Sequence, residues 1–99
     1  MYVTVTSGEV NPAEAAKVEG SLQRILPRVK AFPGVLAIVH YVRPEKGDDV
    51  TIIVWENQQA CQAYRESPLM QEVLAVERDM GVKITREGYP VSYGALQGS

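Results

Sequence analysis

The sequence has little cysteine, no long apolar run and no excess of basic residues. Its only cysteine is Cys61, which excludes an internal disulfide and a cysteine-based metal cluster. No apolar run approaches the roughly 20 residues that cross a bilayer, and no basic segment precedes an apolar one near Met1, as a signal peptide requires. The net charge of -2 leaves no basic surplus for a nucleic acid or an anionic membrane. We therefore expect a cytoplasmic protein with no nucleic-acid or membrane partner.

The length and composition predict one globular domain. The chain has 99 residues, of which 45% are hydrophobic. That composition is typical of a folded protein, and the length suffices for one apolar core. We predict a single domain over residues 1–99, with residues 94–99 as a flexible tail.

Periodicity predicts a strand and then a helix in the first third of the chain. Valine alternates with threonine over Tyr2–Thr6, which is the period of a half-buried strand. Ser7–Asn11 should form a turn, with Asn11 as the cap and Pro12 as the first residue of a helix. Apolar residues then recur at spacings of three and four, so the helix has one apolar face. Pro27 predicts that this helix kinks or ends in the preceding turn.

The rest of the chain predicts a hairpin, an interrupted helical region and a last strand. Pro68 interrupts the helical region, because the residue before a proline avoids helical angles. Gly81 should close the second helical segment. The predicted elements are the strands Val35–Arg43 and Val50–Trp55, the helical segments Asn57–Arg65 and Leu69–Met80, and the strand Val82–Glu87, which residues 88–93 extend after a bend.

The element order β-α-β-β-α-β is typical of the ferredoxin-like α+β fold, also called the split βαβ fold. In this fold an antiparallel four-stranded sheet carries its helices on one face. The predicted hairpin is apolar on both faces, since Leu36 and Ile38 alternate with Val35, Ala37 and Val39. The helices cover only one of these faces. We therefore expect a homodimer in which a second copy of the chain covers the other face.

Four residues at the end of the hairpin and on the following helix are candidates for a pocket. Trp55 ends a strand and is either a large core residue or part of a pocket wall, and strand alternation puts Thr51 on the same face. Tyr64 and Cys61 follow on the next helix. For Tyr64 the alternatives are a core-edge aromatic and a pocket residue, and for Cys61 they are a small buried residue and a nucleophile.

His40 is the only histidine of the chain. A single histidine in an apolar strand is more typical of a hydrogen-bonded structural residue or an interface residue than of a base. Tyr41 follows it and should point to the opposite face of the sheet. The sequence has no glycine-rich phosphate loop, no His-x-x-x-His and no paired-carboxylate motif. We therefore predict no bound metal ion and no cofactor.

Several local motifs make the chain resemble the antibiotic biosynthesis monooxygenase (ABM)-like family, which belongs to the dimeric α+β barrels. The motifs are Pro33-Gly34 before the second strand, Trp55-Glu56 at the end of the third, Ala60 and Tyr64 in the following helix, and Ser67-Pro68 after it. The resemblance covers residues 2–93. It implies a dimer with a pocket between the sheet and the helices of each subunit. In some family members this pocket serves cofactor-independent oxygenation of polycyclic aromatic polyketides such as anthrones and quinols, and in others it serves oxidative opening of haem.

The resemblance also implies which positions line that pocket. Trp55 matches the tryptophan of the oxygenase type, whereas Thr51 stands in place of its asparagine, Cys61 in place of a tyrosine and Tyr41 in place of a histidine. Leu74 stands in place of an arginine in the oxygenases and of the iron-ligating histidine in the haem-degrading type. Since leucine cannot bind iron, we do not expect haem degradation. The pocket candidates are Trp55, Tyr41, Thr51, Tyr64, Cys61 and Leu74.

Two functions of different classes remain open. The first is a cofactor-independent monooxygenase that acts on or binds a small hydrophobic aromatic molecule between the sheet and the helices. Its deprotonated substrate would itself reduce dioxygen, and the protein would supply a dry pocket, orientation and a hydrogen bond to the developing anion. The second is a non-catalytic dimeric module for small-molecule binding or stress response. Two or more converging polar groups would favour the enzyme, and a pocket filled by Trp55, Met70 and Leu74 would favour the module.

Overall fold

A computed structural model describes residues 1–81 and 83–96. Its elements are β1 (Tyr2–Glu9), a 3-10 turn (Pro12–Glu14), α1 (Ala15–Lys30), β2 (Val35–Arg43), β3 (Asp48–Trp55), α2 (Gln58–Arg65), α3 (Pro68–Met80) and β4 (Ile84–Pro90). The strands form one antiparallel sheet in the order β2-β3-β1-β4. This arrangement confirms the predicted ferredoxin-like α+β fold. No helix in the described ranges is long and apolar enough to cross a membrane.

Three short polar side chains cap the helix starts. The Asn11 carboxamide accepts a hydrogen bond from the N–H two residues later at 3.0 Å, and that of Asn57 accepts one from the N–H three residues later at 2.8 Å. Ser67 has the extended backbone expected before a proline, with ψ 157°, and its hydroxyl caps the following helix. Gly81 closes α3 in the left-handed conformation, with φ 64°. The predicted interruption between two helical segments is therefore confirmed.

The helix α1 passes through Pro27 and continues to Lys30, so of the two predicted outcomes, a kink or an end, the end is wrong. Pro27 lies on the exposed side of the helix, and Gln23, whose carbonyl loses its partner, is exposed as well. Water can therefore satisfy that carbonyl. Ile25 and Val29 on the other side are buried in the core, and their burial stabilises the helix before and after the proline.

The strand β1 extends to Glu9, so the prediction of a turn from Ser7 is wrong in that part. Ser7, Gly8 and Glu9 pair with β3, which begins at Asp48 instead of Val50. β1 is a central strand with neighbours on both sides. Each added pair satisfies backbone N–H and C=O groups, and this outweighs the weak strand preference of serine and glycine.

The strand β4 also differs from its predicted range. It runs from Ile84 to Pro90 without the predicted bend, because it pairs along nearly the whole length of β1. Val82, the predicted first residue of this strand, lies outside the described residues. The same holds for residues 97–99 of the predicted tail. Residues 91–96 form neither helix nor strand.

The two faces of the sheet have different surroundings. One face carries Tyr2, Ile53 and Trp55, which form a buried core with side chains of the three helices. The opposite face, here called the open face, has no helix over it. Its apolar residues are Val3, Val5, Ala37, Val39, Tyr41, Val50, Ile52, Val54 and Tyr89, and Val39, Tyr41 and Tyr89 are between 43% and 55% exposed. The hairpin has two apolar faces, as its sequence predicts, but a bulge between Val35 and Ala37 puts Val35 on the helix face instead of beside Val39.

The turn between α1 and β2 should depend strictly on Gly34. This residue has φ +90°, and a Cβ atom there would overlap the Cβ of Ala60 on α2. We expect Gly34→Ala to lower the free energy of unfolding, measured by urea denaturation, by about 2–4 kcal/mol through backbone strain and overlap together. Gly47→Ala is the matched control, because Gly47 has φ +68° with no described atom within 4 Å of the new Cβ. Its cost should be about 1–2 kcal/mol. Equal losses in the two variants would contradict this account of the Ala60 contact.

Candidate functional site

A cavity of about 350 Å³ lies between the sheet and the helices, and we call it the central cavity. Alternate residues of β1 and β3 form its floor, because alternate side chains of a strand point to one face. α1, α2 and α3 form its walls. The lining residues are Thr4, Thr6, Leu22, Ile25, Leu26, Val29, Thr51, Ile53, Trp55, Cys61, Tyr64, Arg65, Met70, Val73, Leu74, Glu77 and Arg86. Five of the six predicted pocket residues therefore lie together around one space.

One end of the central cavity is aromatic. The ring centroids of Trp55 and Tyr64 are 5.3 Å apart. Phe32 meets the ring of Trp55 edge to face at 6.5 Å and that of Tyr64 at 5.5 Å. Rings at such distances attract one another beyond their shared burial. The aromatic end is therefore a rigid cluster in which Trp55 is covered by its neighbours, and Tyr64 keeps a small accessible surface.

Trp55 combines the two roles that its sequence position left open. Its side chain has no solvent exposure, as a core residue requires, and it also lines the central cavity. Its indole N–H donates a hydrogen bond of 3.0 Å to the hydroxyl of Thr4 on the adjacent strand. This bond satisfies the one polar atom of a buried indole ring.

Three hydroxyl groups line the central cavity without a hydrogen-bond partner in the part of the chain that the structure describes. They belong to Thr6, Thr51 and Tyr64. Thr6 and Thr51 are direct neighbours across the β1–β3 ladder, so their side chains stand side by side on the cavity floor. No described buried side-chain nitrogen or oxygen lacks a partner, which means that these hydroxyls are accessible from the cavity. They can bind the polar atoms of a ligand.

An ion pair between Arg86 of β4 and Glu77 of α3 adds fixed charges to the cavity lining. No motif in the sequence points to this pair. Arg86 lies opposite Thr6 in the ladder and therefore points to the cavity face. The face to which it points follows from the register of β4 beside β1, which a single sequence does not specify.

The Tyr64 hydroxyl is a proton donor over the physiological range. Burial raises the pKa of Tyr64 to about 12, and the nearby Arg86 guanidinium opposes part of this rise. The ordinary pKa of tyrosine is about 10. The phenol is therefore neutral near pH 7 and donates, rather than accepts, the stronger hydrogen bond to a negatively charged ligand atom.

The other predicted pocket residues have different surroundings. Leu74 adds apolar surface to the cavity wall. Cys61 lines the cavity but is buried, and burial raises the pKa of its thiol, so it lacks the lowered pKa of a nucleophile. Tyr41 belongs to the open face, on the side of the sheet opposite the central cavity. It is therefore no part of this cavity.

His40 lies on the helix face of β2, outside the central cavity lining. Its Nε2 is 2.8 Å from Oδ2 of Asp49 on the neighbouring strand. His40 and Tyr41 thus point to opposite faces, as strand alternation predicts. Among the described residues, no group of three histidine, cysteine, aspartate or glutamate side chains is arranged to hold a metal ion.

The fold and the cavity agree with a comparison against protein families. A family model described as antibiotic biosynthesis monooxygenase matches residues 1–76. The chain belongs to this family. The match confirms the family resemblance predicted from the Trp55-Glu56 and Ser67-Pro68 motifs, and it supports a monooxygenase-like role in the coarse sense. No match was found among curated proteins.

Solved structures of ABM-like proteins share the fold. A Deinococcus radiodurans protein with the antibiotic biosynthesis monooxygenase name has a TM-score of 0.87 and 14% identity over 100% of both chains. A Nitrosomonas europaea protein of the same name has a TM-score of 0.80 and 15% identity, covering 94% of this chain and 100% of that one. A mutant of SnoaB, a cofactor-independent oxygenase from Streptomyces nogalater, has a TM-score of 0.74 and 17% identity over 94% of each chain. Identities this low establish the shared fold alone.

The raised pKa of Tyr64 predicts a loss of stability in alkali. The unfolded chain should release this proton near the ordinary pKa of about 10, whereas the folded chain retains it up to a pKa of about 12. The stabilising contribution is therefore complete below about pH 10 and is lost as the pH rises through about 12. Between these values, the free energy of unfolding should fall more steeply for the wild type than for Tyr64→Phe, by up to about 1.4 kcal/mol per pH unit.

Urea denaturation across this pH range measures the difference. Tyr93→Phe is the control, because Tyr93 is exposed and its hydroxyl lies outside the central cavity. It should reproduce the wild-type dependence on pH. If Tyr64→Phe gave the same curve as the wild type, the hydroxyl of Tyr64 would ionise alike in the folded and unfolded chain, and the burial argument would be wrong.

Proposed function

We propose that the chain binds a small hydrophobic aromatic molecule in the central cavity and oxygenates it without a metal or flavin. One observation supports this above the others. A cavity with aromatic walls contains unpartnered hydroxyls of Thr51 and Tyr64 beside the fixed charges of Arg86 and Glu77. An apolar space with a few convergent polar groups is the usual form of a small-molecule site.

The cavity dimensions and walls restrict the ligand. A volume of about 350 Å³ lies near the lower end of the roughly 300–1,000 Å³ that is typical of ligand pockets. Of the aromatic cluster, Tyr64 keeps an accessible surface, and Trp55 lies behind it at a ring-centroid distance of 5.3 Å. A compact planar molecule with one polar end is therefore the expected occupant, and its polar end would lie toward Thr51 and Arg86.

The polar groups are suited to the stabilisation of an anion. Tyr64 remains protonated to about pH 12, and Arg86 carries a permanent positive charge. Glu77 is the only carboxylate among the described residues that line the cavity. We therefore assign Glu77 the role of the base that accepts the substrate proton. The hydrogen bond from Tyr64 would stabilise the resulting substrate anion. Transfer of one electron from this anion to dioxygen would give a substrate radical and superoxide, which would combine into a peroxide anion. This anion would take back the proton held by Glu77, and loss of water would leave one oxygen atom on the substrate as a carbonyl.

The arrangement of the walls favours the enzyme over the non-catalytic module. Trp55, Met70 and Leu74 stand around the central cavity but do not fill it. Several hydroxyls and one ion pair converge on the remaining space. An apolar ligand would take water from these groups without offering new partners, which costs free energy. A cavity used only for apolar binding would therefore gain nothing from them.

Ligand entry can be followed by the fluorescence of Trp55, the only tryptophan. We expect anthrones or quinols to change this fluorescence and to consume dioxygen in the presence of the protein. Tyr64→Phe keeps the ring but removes the donor, and it should lower kcat by about 10²-fold, as loss of one oxyanion donor does in other enzymes. Tyr41→Phe removes a hydroxyl on the opposite face of the sheet and should leave kcat unchanged.

The outcomes separate the two classes of function. Binding with no dioxygen uptake for any compound of the panel would support the binding module and contradict the enzyme. An equal loss of activity in both tyrosine variants would show that the central cavity is not the reaction site. If no compound altered Trp55 fluorescence, the proposed ligand class would be wrong.

We also propose that the protein is a homodimer joined through the open face. This face is apolar over three strands, and Val39, Tyr41 and Tyr89 remain largely exposed on it. Exposed apolar patches of this kind mark interaction surfaces, and a second copy offers the same surface through a two-fold axis. The buried area should exceed about 1,000 Å² in total.

Sedimentation at micromolar concentration should therefore give about twice the chain mass of 10.9 kDa. Val39→Lys places a charge on the open face and should shift the protein toward the monomer. Val42→Lys is the matched control, because Val42 is on the same strand with similar exposure, 52% against 55%, but on the helix face. A folded wild-type monomer, or equal dissociation of both variants, would contradict an interface on the open face.

A further inference from the structure

A second space lies outside the central cavity, between α1 and the edge strand β2. It is an open groove of about 810 Å³, here called the α1–β2 groove. Val18, Leu22 and Leu26 of α1 form one wall, and Ile38 and Val42 of β2 form the other. His40 and Asp49 also line it, whereas neither lines the central cavity. The function proposed above does not use these two residues.

The pair between His40 and Asp49 fixes the chemistry of the imidazole ring. Nε2 of His40 is 2.8 Å from a carboxylate oxygen of Asp49. An ionised carboxylate accepts hydrogen bonds only, so Nε2 carries the proton of the neutral ring. The other nitrogen, Nδ1, then presents a lone pair. A carboxylate that holds a histidine in one tautomer in this way is a recurrent arrangement in functional sites.

The lone pair of Nδ1 is available to a ligand. Nδ1 has no hydrogen-bond partner within residues 1–81 and 83–96. It is also accessible, because no described buried side-chain nitrogen lacks a partner. The side chains of His40 and Asp49 are only 20% and 16% exposed, so a hydrogen bond made at Nδ1 is shielded from much of the competition with water. The groove thus contains one directed acceptor between two apolar walls.

The pair contributes little that the hairpin needs for its own stability. The same two strands already carry a bidentate pair between Arg43 and Asp48. Withdrawing His40 and Asp49 from water costs free energy that can exceed what their mutual contact returns. Apolar residues at these positions would serve the packing against Leu22 and Leu26 as well. A ligand that forms a hydrogen bond with Nδ1 would give the His40–Asp49 pair a function that apolar side chains at these positions could not serve.

We propose that the α1–β2 groove is a second binding site, for an apolar molecule that carries one weakly acidic hydroxyl group, such as a phenol or an enol. The hydroxyl donates its hydrogen to Nδ1 of His40, and the apolar body lies between the leucines of α1 and Ile38 and Val42 of β2. Asp49 positions the ring by accepting the Nε2 hydrogen. This site is distinct from the central cavity and does not depend on the oxygenase proposal.

Nuclear magnetic resonance tests the site directly, since the single histidine gives one assignable set of imidazole signals. In the ligand-free protein, the nitrogen shifts should show the neutral ring protonated at Nε2. Titration with 2-naphthol should move the Nδ1 signal toward that of a hydrogen-bonded acceptor, while 2-methoxynaphthalene, which has the same rings but no donor, should leave it in place. The indole N–H signal of Trp55 reports the central cavity in the same spectra and should not follow the His40 signal.

Two variants of neighbouring aspartates provide a matched comparison. Asp49→Asn exchanges the carboxylate, which only accepts, for a neutral carboxamide that can also donate, so it no longer fixes the ring in one tautomer. It should weaken 2-naphthol binding by about 2- to 12-fold, the range that corresponds to one net hydrogen bond. Asp48→Asn removes the same charge from the adjacent position, where the side chain pairs with Arg43 instead, and should leave both the His40 signals and the affinity unchanged.

Several results would overturn the proposal. A neutral ring protonated at Nδ1 would remove the acceptor on which the site depends. Equal binding of 2-naphthol and 2-methoxynaphthalene, or equal loss in the two aspartate variants, would show that the pair does not contact the hydroxyl. A response of Trp55 without a response of His40 would assign the naphthol to the central cavity and leave the oxygenase proposal intact. Backbone amide spectra show whether each variant is folded. If Asp49→Asn is unfolded, His40→Gln is the second variant, because it removes the Nδ1 acceptor itself.

Discussion

The hydrogen bond between the Trp55 indole and the Thr4 hydroxyl is the constraint on which the rest of the structure depends. Trp55 is fully buried, and an indole N–H without a partner there would cost about 1–3 kcal/mol. Thr4 supplies that partner across the β1–β3 ladder at 3.0 Å. The bond therefore requires that the side chains of Thr4 and Trp55 both point to the helix face. Because side chains alternate along a strand, this requirement also fixes the face to which every other residue of β1 and β3 points. It directs Thr6 and Thr51 into the central cavity and leaves Val3, Val5 and Val54 on the open face.

The fold was accessible from the sequence because local signals and topology agree. Alternating valines, capping residues and the Ser67-Pro68 break each specify one element, and their order permits few arrangements. The errors arose where tertiary contacts override local preference. Ser7–Glu9 reads as a turn by composition, but a central strand gains hydrogen bonds on both sides and continues. Pro27 reads as a helix end, yet it lies on the exposed side of α1 while Ile25 and Val29 remain buried. Neither the partners of β1 nor the orientation of Pro27 could be known without the packed structure.

The candidate site was only partly accessible, for a related reason. Trp55, Thr51, Tyr64, Cys61 and Leu74 lie on elements whose facing follows from periodicity, and the structure places them around one cavity. Tyr41 is a pocket candidate of the family pattern, but the β2–β3 register puts it on the open face. Arg86 and Glu77 come from different elements and become partners only when β4 has its register beside β1 and α3 crosses the sheet. A charged pair of this kind leaves no signal in a single sequence, because either residue alone reads as an ordinary solvated surface charge.

Two polar centres thus lie on the same side of the sheet, separated by the apolar side chains of α1. Leu22 and Leu26 border both the central cavity and the α1–β2 groove, so the volume of these two residues restricts both spaces at once. On the sheet below, Thr51 faces the central cavity and is the direct cross-strand neighbour of His40, which faces the groove. The side chains of α1 therefore separate the two larger spaces, while Asp49 and Glu77 both line a small space of about 50 Å³ between the helices and the sheet. Glu77 has its partner in Arg86 and Asp49 has its partner in His40, so each of these carboxylates is hydrogen-bonded on the helix face of the sheet.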